Sequence, residues 1–166
     1  VVQVAKAVAE IQGLSIEDAA RLTTANAIDL FGLDGGAGKE EPKIAYRIRN
    51  SLYLNITNRC TNYCTFCAKF KSYTVKGHYL RLTEEPDFAD VVSAAGPEPE
   101  KYDEVVFCGF GEPLIRVDLV RQAGMHFKRL GCKIRIDTDG LANLVHKRNV
   151  LPELMFVDCI SVSLNA

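Results

Sequence analysis

From Lys43 onward the chain alternates short strand-like apolar runs with helical segments, and this limits the fold more than any other feature. The pattern predicts strands at about 51–57, 104–108, 133–137 and 158–164, and helices at about 84–95, 117–130 and 141–154, the last interrupted near Pro152. Strands separated by helices imply parallel pairing through right-handed crossovers, which is an α/β architecture. Every unusual polar or glycine-rich cluster follows the carboxyl end of a predicted strand. In parallel barrels and open sheets that edge binds ligands, so the clusters are expected to meet at one mouth.

The first 33 residues have a different texture. Val4, Ala5, Val8 and Ile11 recur at helical spacing before Gly13. Ser15 and Asp18 suggest an N-cap and a variant capping box for a second helix, and Thr24 suggests the cap of a third that ends at Gly32. Three such helices bury little core alone and need something to pack against. Residues 34–42, rich in glycine and charge, read as a linker. Gly38-Lys39 is no phosphate loop, because Glu40 stands where a magnesium-binding hydroxyl belongs and no strand leads in. The expected organisation is therefore a helical segment at 1–33, a linker at 34–42 and an α/β unit at 43–166.

The net charge of −1 gives no global field for nucleic acid or anionic membrane. The longest apolar runs are strand-sized, so no membrane partner is expected. Six cysteines do not spread as in a secreted disulfide scaffold. Three crowd into positions 60–67, while Cys108, Cys132 and Cys159 lie singly in apolar or strand-like runs and read as buried small hydrophobes. This usage suits a metal site in a reducing compartment, and a cytoplasmic location is expected.

Cys60-x3-Cys64-x2-Cys67 directly follows a predicted strand. Three thiolates on a tight loop suit an iron–sulfur cluster with one iron left open. Zinc is the alternative, with His78 as a fourth ligand. Unligated cysteines are the third, disfavoured by the polar neighbours Asn58, Arg59, Thr61 and Asn62. His126 and His146 fall within predicted helices and are not expected to be ligands. The basic and aromatic run Lys69, Phe70, Lys71, Tyr73, Lys76, Tyr79, Arg81 allows an RNA-binding reading, but a solvated arm after the cysteine loop is favoured.

The cysteine run, with Phe66 before its third member, resembles the signature of the radical S-adenosylmethionine (SAM) superfamily. Gly109-Phe110-Gly111-Glu112-Pro113 resembles its Gly-Gly-Glu-Pro element, with Phe at the second position. Thr138-Asp139-Gly140 and Ser161–Asn165 resemble the segments after its third strand and along its fourth. The resemblance implies a partial (βα) barrel, with residues 43–166 supplying about four of six βα units and truncated on the C-terminal side. It implies a [4Fe–4S] cluster on Cys60, Cys64 and Cys67. It also implies SAM contacts at Phe66 (adenine), at Gly109, Gly111 and Glu112 (methionine end), and at Ser163 and Asn165 (ribose), with Asp137 or Thr138 on the neighbouring wall. Cofactors carry the hard chemistry in such a site, so no side chain is assigned a catalytic role of its own. The implied activity is reductive SAM cleavage to a 5′-deoxyadenosyl radical acting on an unread substrate, with a flavodoxin- or ferredoxin-like one-electron reductant as partner.

Residues 9–33 resemble the C-terminal helices of TatD-family metal-dependent hydrolases, with a helix–turn–helix as the runner-up. Those hydrolases' metal ligands lie upstream of such a segment, so no hydrolase activity is expected. The whole is most similar to TatD-associated radical SAM proteins. The competing function is a metal- or cluster-bearing accessory module of a TatD-like hydrolase that never cleaves SAM.

Overall fold

The four expected strands form one parallel sheet, and a fifth that the pattern did not announce is added antiparallel at one edge. A computed structural model describes residues 2–31, 42–70 and 72–164. Two helices come first, α1 (Val2–Gln12) and α2 (Ile16–Phe31). They are followed by β1 (Ala45–Ile48) and β2 (Ser51–Leu54), and by a small hairpin of β3 (Thr74–Val75) and β4 (His78–Tyr79). Then come α3 (Phe88–Ala95), β5 (Glu104–Phe107), α4 (Val117–Arg129), β6 (Ile134–Thr138), α5 (Ala142–His146) and β7 (Cys159–Val162). The main sheet runs β1-β2-β5-β6-β7, antiparallel only between β1 and β2. This is a mixed α/β fold of the kind a partial βα barrel requires.

Alternation along the strands sends one set of side chains to the helices. Leu52, Leu54, Val105, Phe107, Ile134 and Ile136 meet Val91 of α3 and Val120, Ala123 and Phe127 of α4, all at most 4% exposed. Each such burial contributes roughly 1.5–3 kcal/mol. The opposite sheet face carries Tyr53, Glu104, Arg135 and Asp137 around the fully buried Val106. Strands covered by helices on both sides read as continuous apolar runs. The Ile-Arg-Ile-Asp sequence of β6 is instead the mark of a strand covered on one side.

Several expected boundaries are corrected. The N-terminal segment forms two helices, because α2 runs through Thr24, with the Thr23 hydroxyl bonded back to the Ala19 carbonyl at 2.9 Å. Ser15 caps α2 through the Asp18 amide (3.0 Å), but the Asp18 carboxylate turns to Arg21 instead of closing a capping box. α3 starts at Phe88, behind Pro86 and a capping box of Asp87 and Asp90. The helix expected over 141–154 ends at His146, where Lys147 turns left-handed, and a 3-10 turn follows at Leu151–Leu154. Cys132 is buried, but Cys159 is exposed, because β7 is an edge strand.

Of the N-terminal helices, α2 finds a surface to pack on, while Val4, Val8 and Ile11 of α1 stay exposed. α2 reaches the core strands and the small hairpin, with Glu17 3.4 Å from Arg47 and the buried Asp18 4.0 Å from His78. The candidate linker's residues 34–41, and with them Gly38 and Lys39, lie outside the described residues. No helix among the described residues is long and apolar enough to cross a membrane.

Candidate functional site

Loops at the carboxyl ends of β2, β5, β6 and β7 are bonded into one surface. The Cys108 amide donates to the Leu54 carbonyl (3.1 Å), and the Glu112 amide donates to the Arg59 carbonyl (2.7 Å). This ties the glycine loop after β5 to the cysteine loop after β2. The Ser163 amide donates to the Thr138 carbonyl at 2.8 Å, which joins β7 to the β6 loop. Thr61 in the cysteine loop bonds Asp139 in the β6 loop. Segments more than seventy residues apart in sequence therefore share one edge.

Gly109 and Gly111 are required by this packing. A Cβ on Gly109 would run into the Asn55 side chain, and one on Gly111 would strike the carbonyl oxygens of Thr57 and Arg59. The family resemblance also implies that both line the methionine end of SAM. The close approach in the structure is of Gly109 to Asn55 and of Gly111 to the backbone of Thr57 and Arg59. It is this contact that brings residues 109–112 against the cysteine loop.

Glu112 is only 3% exposed, so its carboxyl is buried among the loops. Its Oε1 accepts from the Leu114 amide (2.9 Å) and the Thr138 hydroxyl (2.8 Å), and its Oε2 accepts from the Asp139 amide (2.7 Å). Burial raises its pKa, against the pull of these three donors. With three of roughly four acceptor positions filled, the carboxylate holds the β5 and β6 loops together. The Thr138 hydroxyl donates to it and accepts from the Gly140 amide at 3.1 Å.

The cysteine loop is polar and open. Cys60, Cys64 and Cys67 are free and partly exposed. The Asn62 amide points at Cys60 Sγ (3.4 Å), and the Cys67 amide donates to the Cys64 carbonyl (3.0 Å). Burial pushes the Cys60 thiol up, and the Asn62 amide and Lys69 partly offset this. Among the described residues, no group of three or more His, Cys, Asp or Glu side chains is gathered closely enough to hold a metal ion. His78 Nε2 lies 3.0 Å from the Arg47 carbonyl, buried beside Asp18, and is not gathered with the cysteines. The donor chemistry fits an iron–sulfur group, with three soft thiols partly open to solvent on a loop fixed at the sheet edge.

Phe66, 67% exposed, projects from the same loop, and Ser163 is exposed at the end of β7. Asn165 lies outside the described residues. His126 packs edge-on against Phe88 and Phe127, and His146 bonds the Leu114 carbonyl at 2.8 Å.

One network was not anticipated from the sequence, although Asp137 and Cys108 within it were named there. On the face away from the helices, Arg135 bonds Asp137 (2.8 Å), Glu104 (3.2 Å) and the Tyr53 hydroxyl (3.2 Å). Tyr53 stacks on Tyr46, whose hydroxyl donates to the Cys108 carbonyl at 3.2 Å. Burial first, and the neighbouring Asp137 second, push the Cys108 thiol up to about 12, so it stays protonated. This network makes a polar floor beneath the loops. The charged alternate positions of β6 were its only signal.

The chain was compared with known proteins. The family model described as the radical SAM superfamily matches residues 54–166, more than half of the chain. No curated protein and no solved structure gave a significant match. The matched region holds the cysteine loop, the glycine loop and the strand ends that carry them, and the chain belongs to the radical SAM superfamily.

Proposed function

We propose that the chain is the core of a radical SAM enzyme in which Cys60, Cys64 and Cys67 hold a [4Fe–4S] cluster with one iron open to SAM. The chemistry such a cluster supplies is one-electron reductive cleavage of the SAM sulfonium, giving a 5′-deoxyadenosyl radical. The observation that carries the reading is the joining of the cysteine loop to Gly109–Glu112 by the Glu112–Arg59 backbone bond at 2.7 Å. The two segments in which the family resemblance is strongest thereby become neighbours.

The protein's own contribution is positioning. Gly109 and Gly111 set the approach of the two loops, and Glu112 locks them to Thr138 and Asp139, so it acts through the loops it holds. Phe66, standing out from the cysteine loop, offers an aromatic face for the adenine. Ser163 and Asn165 are assigned to the ribose side, and Thr138 to the wall between. We place the protein in the cytoplasm, where three uncapped thiols stay reduced. We read residues 1–33 as the terminal helices of a TatD-like hydrolase, on sequence resemblance alone, with 34–42 as the linker and 43–166 as the radical SAM core.

Anaerobic reconstitution with iron and sulfide, followed by electron paramagnetic resonance of the dithionite-reduced protein, tests the reading. The expected result is a [4Fe–4S] signal whose g values change on adding SAM, and loss of iron uptake in Cys60→Ala, Cys64→Ala and Cys67→Ala. A protein that takes up zinc and no cluster would be an accessory binding module instead.

A further inference from the structure

The cysteine loop is tied down unevenly along its length. Around Cys60 the ties are dense. The Asn58 side chain pairs with the backbone of Leu82, donating to its carbonyl (2.7 Å) and accepting from its amide (3.1 Å). The Arg59 amide donates to the hydroxyl of Thr57, a residue only 1% exposed, at 3.0 Å. The Arg59 carbonyl accepts from the Glu112 amide, and just past Cys60 the Thr61 hydroxyl bonds Asp139. From Tyr63 to Phe66, by contrast, no hydrogen bond leaves the loop among the described residues.

Glu85, in the segment ahead of α3, completes the dense end. Its Oε1 accepts from Arg59 Nε (2.8 Å) and from the Thr57 hydroxyl, and its Oε2 accepts from Arg59 Nη2 (2.9 Å). Arg116, in the turn behind Glu112, has Nε 3.6 Å from Oε2 and donates from Nη1 to the carbonyls of Ile56 (2.9 Å) and Pro86 (2.7 Å). One carboxylate thus gathers the exit of β2, the residue before Cys60 and the turn that follows the glycine loop. An isolated surface ion pair would hold little. A two-pronged guanidinium–carboxylate pair joined to a buried hydroxyl and to a second arginine, itself 19% exposed, is a network that fixes geometry. Burial works against the Glu85 charge, but the bonds from Arg59 and Thr57 keep its pKa below the usual value.

We propose that Glu85 is a positioning residue for Cys60, fixing that thiol through Arg59 and Thr57 before any cluster is built. The proposal rests on the reading that the three cysteines hold a cluster. Cys60 is then the preset thiol, while Cys64 belongs to the less tied part of the loop. Glu85 bonds no thiol among the described residues and acts through its neighbours. Removing groups that orient metal ligands from behind typically costs about 10- to 100-fold in metal affinity.

Two measurements on the whole chain test the role. In the cluster-free protein, iodoacetamide labelling read by mass spectrometry gives the rate at Cys60 relative to Cys64. In the reconstituted protein, loss of iron to EDTA gives cluster retention. Glu85→Ala is expected to raise the Cys60-to-Cys64 labelling ratio and to speed iron loss, each about tenfold. Glu85→Gln, which keeps an acceptor for Arg59, should fall between Glu85→Ala and the parent. Asp158→Asn is the control, since it breaks the pair with Lys128 at the amino ends of β6 and β7 and should move neither readout. An unchanged labelling ratio in both Glu85 variants overturns the positioning role, even where iron loss is faster. A ratio raised as much by Asp158→Asn as by Glu85→Ala also overturns it, because general loosening then accounts for both. A parent chain that takes up no cluster, while Glu85→Ala still raises the ratio, overturns the functional reading and leaves the positioning of Cys60 supported.

Discussion

At Gly111 the neighbouring atoms are the Thr57 and Arg59 carbonyl oxygens, which are backbone and cannot swing aside. Gly111→Ala is expected to cost about 1–3 kcal/mol of stability, as overpacking does elsewhere, and to part the glycine and cysteine loops. Urea unfolding measures the first effect, and iron uptake the second. An unchanged urea midpoint would contradict the packing role. Glu112→Gln keeps the shape but turns an amide NH2 toward the Asp139 amide or toward the Leu114 amide and Thr138. One buried donor is then left unmet, at about 1–3 kcal/mol. A Gln variant as stable as the parent would mean that the carboxylate is no tie. The position of Glu112 was legible in the Gly-Phe-Gly-Glu-Pro element, but its role was not. Two of its donors, Thr138 and Asp139, arrive from another strand 26 and 27 residues on.

Among the elements, α2 is held by few and polar contacts. Asp18 is 1% exposed and pairs with Arg21, and His78, 8% exposed, lies 4.0 Å from Asp18. Burial first, then Arg21, holds the His78 pKa below its usual value. The Asp18 charge is already taken by Arg21, and Lys43 adds to the lowering. The unfolded chain therefore binds a proton near pH 6.5 that the folded chain refuses until lower pH. The stabilising contribution of neutral His78 is complete above that pH and is lost as pH falls through the folded value. Limited proteolysis should release residues 2–31 faster at pH 5 than at pH 8, and His78→Gln should flatten the difference. A release rate that does not vary with pH would remove His78 from the contact. None of this was visible in the helical periodicity, which shows an apolar stripe but not what covers it.

For the molecule as a whole, the exposed feature is β7. It pairs with β6 on one side only, all four of its residues are exposed, and Ile160 is 41% exposed. A free sheet edge is a template for pairing with another chain. Sedimentation of this chain is expected to show mass rising with concentration, and Ile160→Lys to suppress the rise. A monomer at all concentrations would show that the edge is protected. The parallel order of β2, β5, β6 and β7 was readable in advance, because alternating strands and helices leave few ways to connect. The cysteine loop's place after the first of these strands was readable too, since spacing along a loop is a local property. The tertiary structure alone decided that β1 would extend the sheet, that α2 would dock on the small hairpin and that one sheet face would carry the Arg135 network. It also decided that two glycines and a glutamate would serve as ties between loops. Those outcomes depend on contacts between residues tens of positions apart, whose energies no local pattern of apolar and polar residues records.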